Sequence, residues 1–294
     1  MRLICIIRTP AILALALAPS GLVAASQGAP ATAPFAAAPD SVAPSAPAYA
    51  PIADLVTASP LLVDATIRSE SRIKGAEAAG VAPGWQRFYV EANVGTLIAG
   101  TAAIPARVGW LVDVPLDARG RAPKLKKRRV LVFARPVAGR ADQIQLVTPA
   151  AQIDWSPAAE SLVRRIATEV NAADAPPVVT GVRSAFHVPG SLPGEGETQI
   201  FLSTEGGRPA ALSILRRPGE APRWSVALSE IIDDGAIAPA RDTLLWYRLA
   251  CALPAALPEA ATAAIEPADA EQARADYGFV VAQLGPCRPP YRPR

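Results

Sequence analysis

The single histidine of this 294-residue chain, His187, is the side chain best suited to acid–base chemistry. It lies in the stretch FHVPGSLPGEGETQIFLST, residues 186–204, which also contains Glu195 and Glu197. A histidine titrates near neutral pH, and a neighbouring carboxylate can act with it as a general acid or base. If the chain is an enzyme, a hydrolase that uses His187 with Glu195 or Glu197 is therefore the first candidate.

Two Pro-Gly pairs, at 189–190 and 193–194, separate the histidine from the glutamates. Each pair fits the central positions of a type II turn, because glycine supplies the positive φ that this turn needs. The turn is predicted to join two strands as a hairpin, with His187 near Glu197 on one polar face. The competing interpretation is a cross-strand polar pair on a solvated sheet face, with the glutamates salt-bridged to arginines. We favour the second interpretation, because a single histidine without a recognised nucleophile motif is weak evidence for catalysis.

Most motifs of common metal, phosphate and nucleophile sites are missing from the sequence. A zinc site usually takes more histidine and cysteine ligands than this chain contains, and we expect neither a metal nor a cofactor. The segment GEGET at 194–198 lacks the Lys-Ser/Thr of a phosphate loop. Ser191 lacks the first glycine of a G-x-S-x-G elbow.

Five basic residues follow the turn signal at 117–120: Lys124, Lys126, Lys127, Arg128 and Arg129. They could form a patch for an anionic lipid, glycan or polymer. They could instead be a charged strand edge that discourages aggregation between sheets. From the sequence alone we favour the charged edge.

The N-terminus is typical of a secretory signal peptide. Arg2 and Arg8 supply positive charge, residues 11–18 are apolar but too few to span a bilayer, and residues 23–25 fit the small-residue cleavage rule. We expect residues 1–25 to be removed and the mature protein to be soluble, exported to the periplasm or beyond, and without a transmembrane segment. An uncleaved membrane anchor is the alternative.

The charge of the chain argues against a nucleic-acid partner. The formal net charge of +3 falls to +1 once the two arginines of the signal peptide are removed, leaving 27 basic against 26 acidic residues. Only 5% of the residues are aromatic. A nucleic-acid-binding protein is expected to show a clear basic excess with interleaved aromatic residues.

Residues 26–51 are rich in Ala and Pro and are predicted to be a disordered linker. Residues 52–155 then alternate apolar and polar positions without a helical period. Five such runs indicate a small five-stranded antiparallel barrel or sandwich, with OB-like and SH3-like barrels both open. The runs are 53–69, 86–100, 106–116, 128–137 and 143–149.

Residues 156–258 predict an α+β domain in which packed helices cover an antiparallel sheet. Ser156 is a candidate N-cap and Pro157 suits the first helical position. A second helix is predicted to start at Asp242, which can cap it, and to end at Pro254. Four strand-like runs lie between the helices, at 178–188, 197–204, 210–217 and 223–232. Residues 259–294 hold a last helix, predicted over 267–284, and a basic Pro-rich tail.

Two cysteines, Cys251 and Cys287, remain after signal cleavage, and an oxidising compartment favours a disulfide between them. The alternative is a buried Cys251 and a free Cys287. A plain antiparallel helix pair would hold the two residues at opposite ends. The bond therefore requires residues 254–266 to run back before the last helix starts.

Together these features favour an exported, non-catalytic binding or assembly module whose partner is an unknown envelope protein or polymer. The hydrolase that uses His187 is one alternative. An envelope chaperone or secretion accessory, with an exposed apolar groove beside the β-domain, is another.

Overall fold

A computed structural model describes residues 48–101, 103–229 and 237–287. The predicted signal peptide, most of the predicted linker and the basic tail lie outside these residues. The α-helices are α1 Tyr49–Thr57, α2 Pro157–Asn171, α3 Leu244–Ala250 and α4 Pro267–Leu284. The strands are β1 Leu61–Arg72, β2 Trp85–Ala99, β3 Arg107–Pro115, β4 Arg129–Val137, β5 Arg140–Leu146, β6 Gln152–Asp154, β7 Val179–Pro189, β8 Gly196–Thr204, β9 Ala211–Arg216 and β10 Arg223–Ala227.

The first five strands close into a barrel. They pair in the order β1-β2-β3-β5-β4, and β4 pairs back with β1. This confirms the predicted five-stranded barrel, followed by an α+β domain. The expectation of a fully antiparallel barrel is wrong at one seam, where β3 and β5 run parallel and pair at Gly109 and Gln143. A closed ring with an odd number of strands cannot alternate direction at every pairing. The short strand β6, which we did not predict, pairs with β4.

The helix α1 corrects the predicted linker, because Tyr49, Ala50 and Pro51 belong to it. It also corrects the first predicted strand run, because residues 53–57 are helical and β1 starts at Leu61. Its apolar residues are buried, and proline is tolerated in a first helical turn. The Tyr49 hydroxyl donates to Glu169 of α2 at 2.5 Å. The helix therefore joins the folded core.

Tyr247 of α3 fastens the other side of α1, since its hydroxyl donates to Asp54 Oδ1 at 2.6 Å. Burial, followed by the bond to Asp54, raises the pKa of Tyr247 to about 12. Burial and the bond to Glu169 raise the pKa of Tyr49 further still. Both phenols are therefore neutral donors at physiological pH.

The second sheet is antiparallel in the order β10-β9-β8-β7, and α4 packs on β7 and β8. Its strands start and end within two residues of the predicted runs, except that β10 ends at Ala227, before the predicted end at residue 232. Ser156 caps α2 by accepting from the Ala159 amide at 3.1 Å, as predicted. The helix α3 differs from its prediction: Thr243, not Asp242, caps it, and it ends before Cys251.

A disulfide joins Cys251 to Cys287, with Cα atoms 5.0 Å apart. The helix α3 is only seven residues long. It lies near the C-terminal end of α4, because the Trp246 indole donates to the Leu284 carbonyl at 2.9 Å. The connection then runs along α4, since Tyr277 donates to the Pro254 carbonyl at 2.6 Å. The returning connection that the bond requires is present.

Candidate binding cleft

His187 lies on the face of the second sheet that α4 covers. The strand register pairs His187 with Thr198 and the neighbouring Val188 with Glu197. Successive side chains of a strand point to opposite faces, so His187 and Glu197 lie on opposite sides of the sheet. The predicted shared polar face is therefore wrong.

A buried polar chain holds the histidine in place. Its Nδ1 lies 2.9 Å from the Thr198 hydroxyl, which donates to Asp276 Oδ2 at 2.5 Å. Arg216 donates from Nε to Asp276 Oδ1 at 2.5 Å. The one hydroxyl proton of Thr198 goes to the carboxylate, so Nδ1 of His187 is the donor to Thr198. Thr198 and Asp276 are both 0% exposed. The arrangement ties three strands to α4 and keeps the hydroxyl away from any substrate.

The two glutamates have separate tasks. Glu195 accepts from the Ser191 and Leu192 amides at 3.0 and 3.2 Å and so braces the Pro-Gly turn. Glu197 accepts from Gln199 at 2.9 Å on the outer face. Among the described residues, no hydrogen bond joins His187 to either glutamate. The structure does not assemble the acid–base pair that a hydrolase would need.

The basic cluster divides into two parts. Arg128 forms an ion pair with Asp154. Arg129 holds both carboxylate oxygens of the buried Asp64, at 2.9 and 2.7 Å, and its guanidinium lies 3.8 Å from the Trp155 ring centroid. The bond to Asp64 raises the pKa of Arg129. The three remaining members are exposed lysines: Lys124, Lys126 and Lys127.

A cleft of about 520 Å³ opens on the outside of the barrel. Side chains of β2, β3 and β5 and of the segment after β5 line it. It lies at the parallel seam, where only one residue pair bridges β3 and β5. A volume of this size is within the range of roughly 300–1,000 Å³ that ligand sites occupy.

The floor of the cleft is an aromatic ring laid across a glycine. A Cβ atom at Gly109 would stand 2.7 Å from Tyr89 Cζ, so the Tyr89 ring occupies the space that a side chain would take. A glycine inside a strand often marks such a close approach. The glycine of ARVGWLVDVPL was therefore the sequence signal for this site, and sequence reasoning missed it.

One end of the cleft is held by a bidentate ion pair. Arg87 donates to the two oxygens of Asp113 at 2.7 and 2.8 Å, and the two side chains are only 18% and 8% exposed. The bond to Asp113 raises the pKa of Arg87. Because paired guanidinium and carboxylate groups fix each other's geometry, this end is rigid before any ligand arrives.

The remaining lining of the cleft combines polar and apolar side chains. Amide, guanidinium and apolar side chains face the cleft, among them Gln143, Gln145, Arg135 and the half-exposed Leu111. Among these lining residues, the ion-paired Asp113 is the one carboxylate. No group of three His, Cys, Asp or Glu residues that could hold a metal occurs in the described part of the chain.

The sequence matches no known protein-family model, and no curated protein matches it. Within residues 48–101, 103–229 and 237–287, no helix is long and apolar enough to cross a membrane.

Proposed function

We propose that this chain is an exported protein of the cell envelope that binds an extended polymer in the barrel cleft without changing it chemically. The observation that supports this most is the Tyr89 ring seated on Gly109 in an open cleft bounded by the Arg87–Asp113 pair. An aromatic plane with amide groups around it can stack on one face of a ligand unit and hydrogen-bond its edges. The OB-fold, one type of five-stranded barrel, binds oligonucleotides and oligosaccharides on the face of its second and third strands.

The second sheet offers a rival surface. Its outer face carries the Phe186 and Phe201 rings, which lie 5.8 Å apart and tilted by 35°, and the exposed Val188. This is where a chaperone or secretion accessory would hold an apolar segment. The barrel cleft adds a rigid ion pair at one end, Arg87 with Asp113. We therefore place the ligand in the barrel.

Replacing Tyr89 with alanine is expected to weaken polymer binding about 30-fold, because a central aromatic anchor contributes roughly 2 kcal/mol. Tyr89→Phe keeps the ring and should bind within about threefold of the wild type. The measurement is an array of envelope oligosaccharides and peptides, followed by calorimetric titration of each ligand that binds. Equal affinity of the alanine and wild-type proteins, or a wild type that binds nothing, would contradict the proposal.

A further inference from the structure

The lysines of this chain are concentrated in one short segment. The sequence contains 25 arginines and only four lysines. Three of the four are Lys124, Lys126 and Lys127 in residues 123–128, which we call the lysine loop. Every ion pair between described residues uses arginine, so none of these ammonium groups is neutralised by a carboxylate there.

The lysine loop is held on a fixed backbone. Leu125 at its centre is 0% exposed. The carboxylate of Glu70 accepts from the Leu125 and Lys126 amides at 2.5 and 2.8 Å. The Lys127 amide donates to the Ile67 carbonyl at 2.8 Å, and Lys127 has a φ of 71°, in the left-handed region that disfavours a long side chain. The fold therefore tolerates local strain where it presents these charges.

Protection of a strand edge does not explain the lysine loop. The loop precedes β4, which pairs with β1, β5 and β6. Both sides of β4 are therefore paired, so the strand that the loop leads into has no free edge for charge to guard. Among the described strands, the three-residue β6 pairs with β4 alone. The charged-edge interpretation favoured from the sequence therefore does not apply to β4.

The lysine loop borders a depression that shares one residue with the cleft. A smaller depression of about 70 Å³ is bordered by Pro123, Leu125 and Arg128 of the loop. Asp113 borders both this depression and the cleft. A chain lying along β3 toward Pro115 would leave the cleft beside the loop.

We propose that the ligand of the cleft is an anionic polysaccharide whose acidic groups meet Lys124, Lys126 and Lys127. This inference rests on the proposed function of the cleft. Lysine ammonium groups are compact point charges that accept sulfate, phosphate or carboxylate without a fixed fork geometry. Among the described residues, the exposed large apolar side chains lie outside the lysine loop. The loop therefore presents no apolar side chain that could insert into a membrane surface.

The test compares two charge-matched variants of the full chain by calorimetric titration with dextran sulfate, polygalacturonate and neutral dextran. One variant carries Lys124→Gln and Lys126→Gln; the control carries Lys74→Gln and Arg217→Gln, two exposed sites outside the loop. We expect the wild type to bind one or both anionic polymers and not dextran. The loop variant should bind about five- to thirty-fold more weakly, and the control within about twofold of the wild type. The sulfated and carboxylated polymers distinguish the two sources of negative charge.

Four results would overturn the inference. Neutral dextran could bind as tightly as the anionic polymers, or the loop variant could match the control. In either case a loss of binding in Tyr89→Ala would leave the proposed function intact. Binding to phosphatidylglycerol vesicles with no binding to any polymer would identify a membrane surface instead. If the wild type binds none of these probes, the ligand is not an anionic polysaccharide. If it also binds nothing on the array of envelope oligosaccharides and peptides, the proposed function is wrong.

Discussion

Replacing Asp276 with alanine is expected to lower the free energy of unfolding by about 3–5 kcal/mol. This carboxylate is 0% exposed and accepts hydrogen bonds from Thr198, Arg216 and Gln272. Its removal leaves the buried Thr198 hydroxyl and the guanidinium of Arg216, whose side chain is 30% exposed, without their partner. Urea unfolding followed by circular dichroism at neutral pH measures the change.

The matched control for this variant is Glu271→Ala, an exposed acid on the same helix. It should change stability by no more than about 0.5 kcal/mol. Combining Asp276→Leu with Arg216→Met should recover part of the loss, because replacing both ions leaves no unpaired charge. If Asp276→Ala is no more destabilising than Glu271→Ala, the buried polar chain does not hold the sheet to α4.

Reducing the disulfide between Cys251 and Cys287 is expected to lower stability by about 3.5–4 kcal/mol in the chain-entropy model. The bond closes a segment with a sequence separation of 36 residues. This segment contains α4, so the reduced chain should lose packing on the second sheet before the barrel opens. Urea unfolding with and without a phosphine reductant measures the difference.

A double variant with Cys251→Ser and Cys287→Ser provides the control. It should unfold like the reduced wild type, and reductant should not change it further. Thiol titration of the unfolded, unreduced mature chain should find no free thiol. Two free thiols, or wild-type stability unaffected by reductant, would show that the cysteines are not paired.

The sequence predicted those elements whose pattern is local. The alternation of apolar residues located the five barrel strands, and Ser156 with Pro157 located the start of α2. The helix α1 was missed because its nine residues follow an Ala/Pro-rich stretch and are held by Glu169 and Tyr247, which are remote in the sequence. The parallel seam follows from barrel closure and leaves no mark on a single strand.

The candidate site was harder to predict for the same reason. His187 and Glu197 are close in sequence, but strand register places them on opposite faces of the sheet. Asp276 accepts the hydrogen bond from Thr198, which in turn contacts His187, and it is 78 residues from Thr198 along the sequence. One signal was present: an acid at 276 falls on the buried stripe of α4 with Ala273 and Tyr277. A charge in such a position requires a buried partner.

Backbone amide chemical shifts recorded during titration with dextran sulfate test most directly whether the barrel cleft binds the ligand. We expect shift changes at the amides of Tyr89, Leu111 and Gln145 in the cleft and of Lys126 in the lysine loop. Amides of Phe186 and Phe201 on the second sheet should stay unmoved. Changes confined to the second sheet, with the barrel amides unmoved, would contradict binding in the barrel cleft.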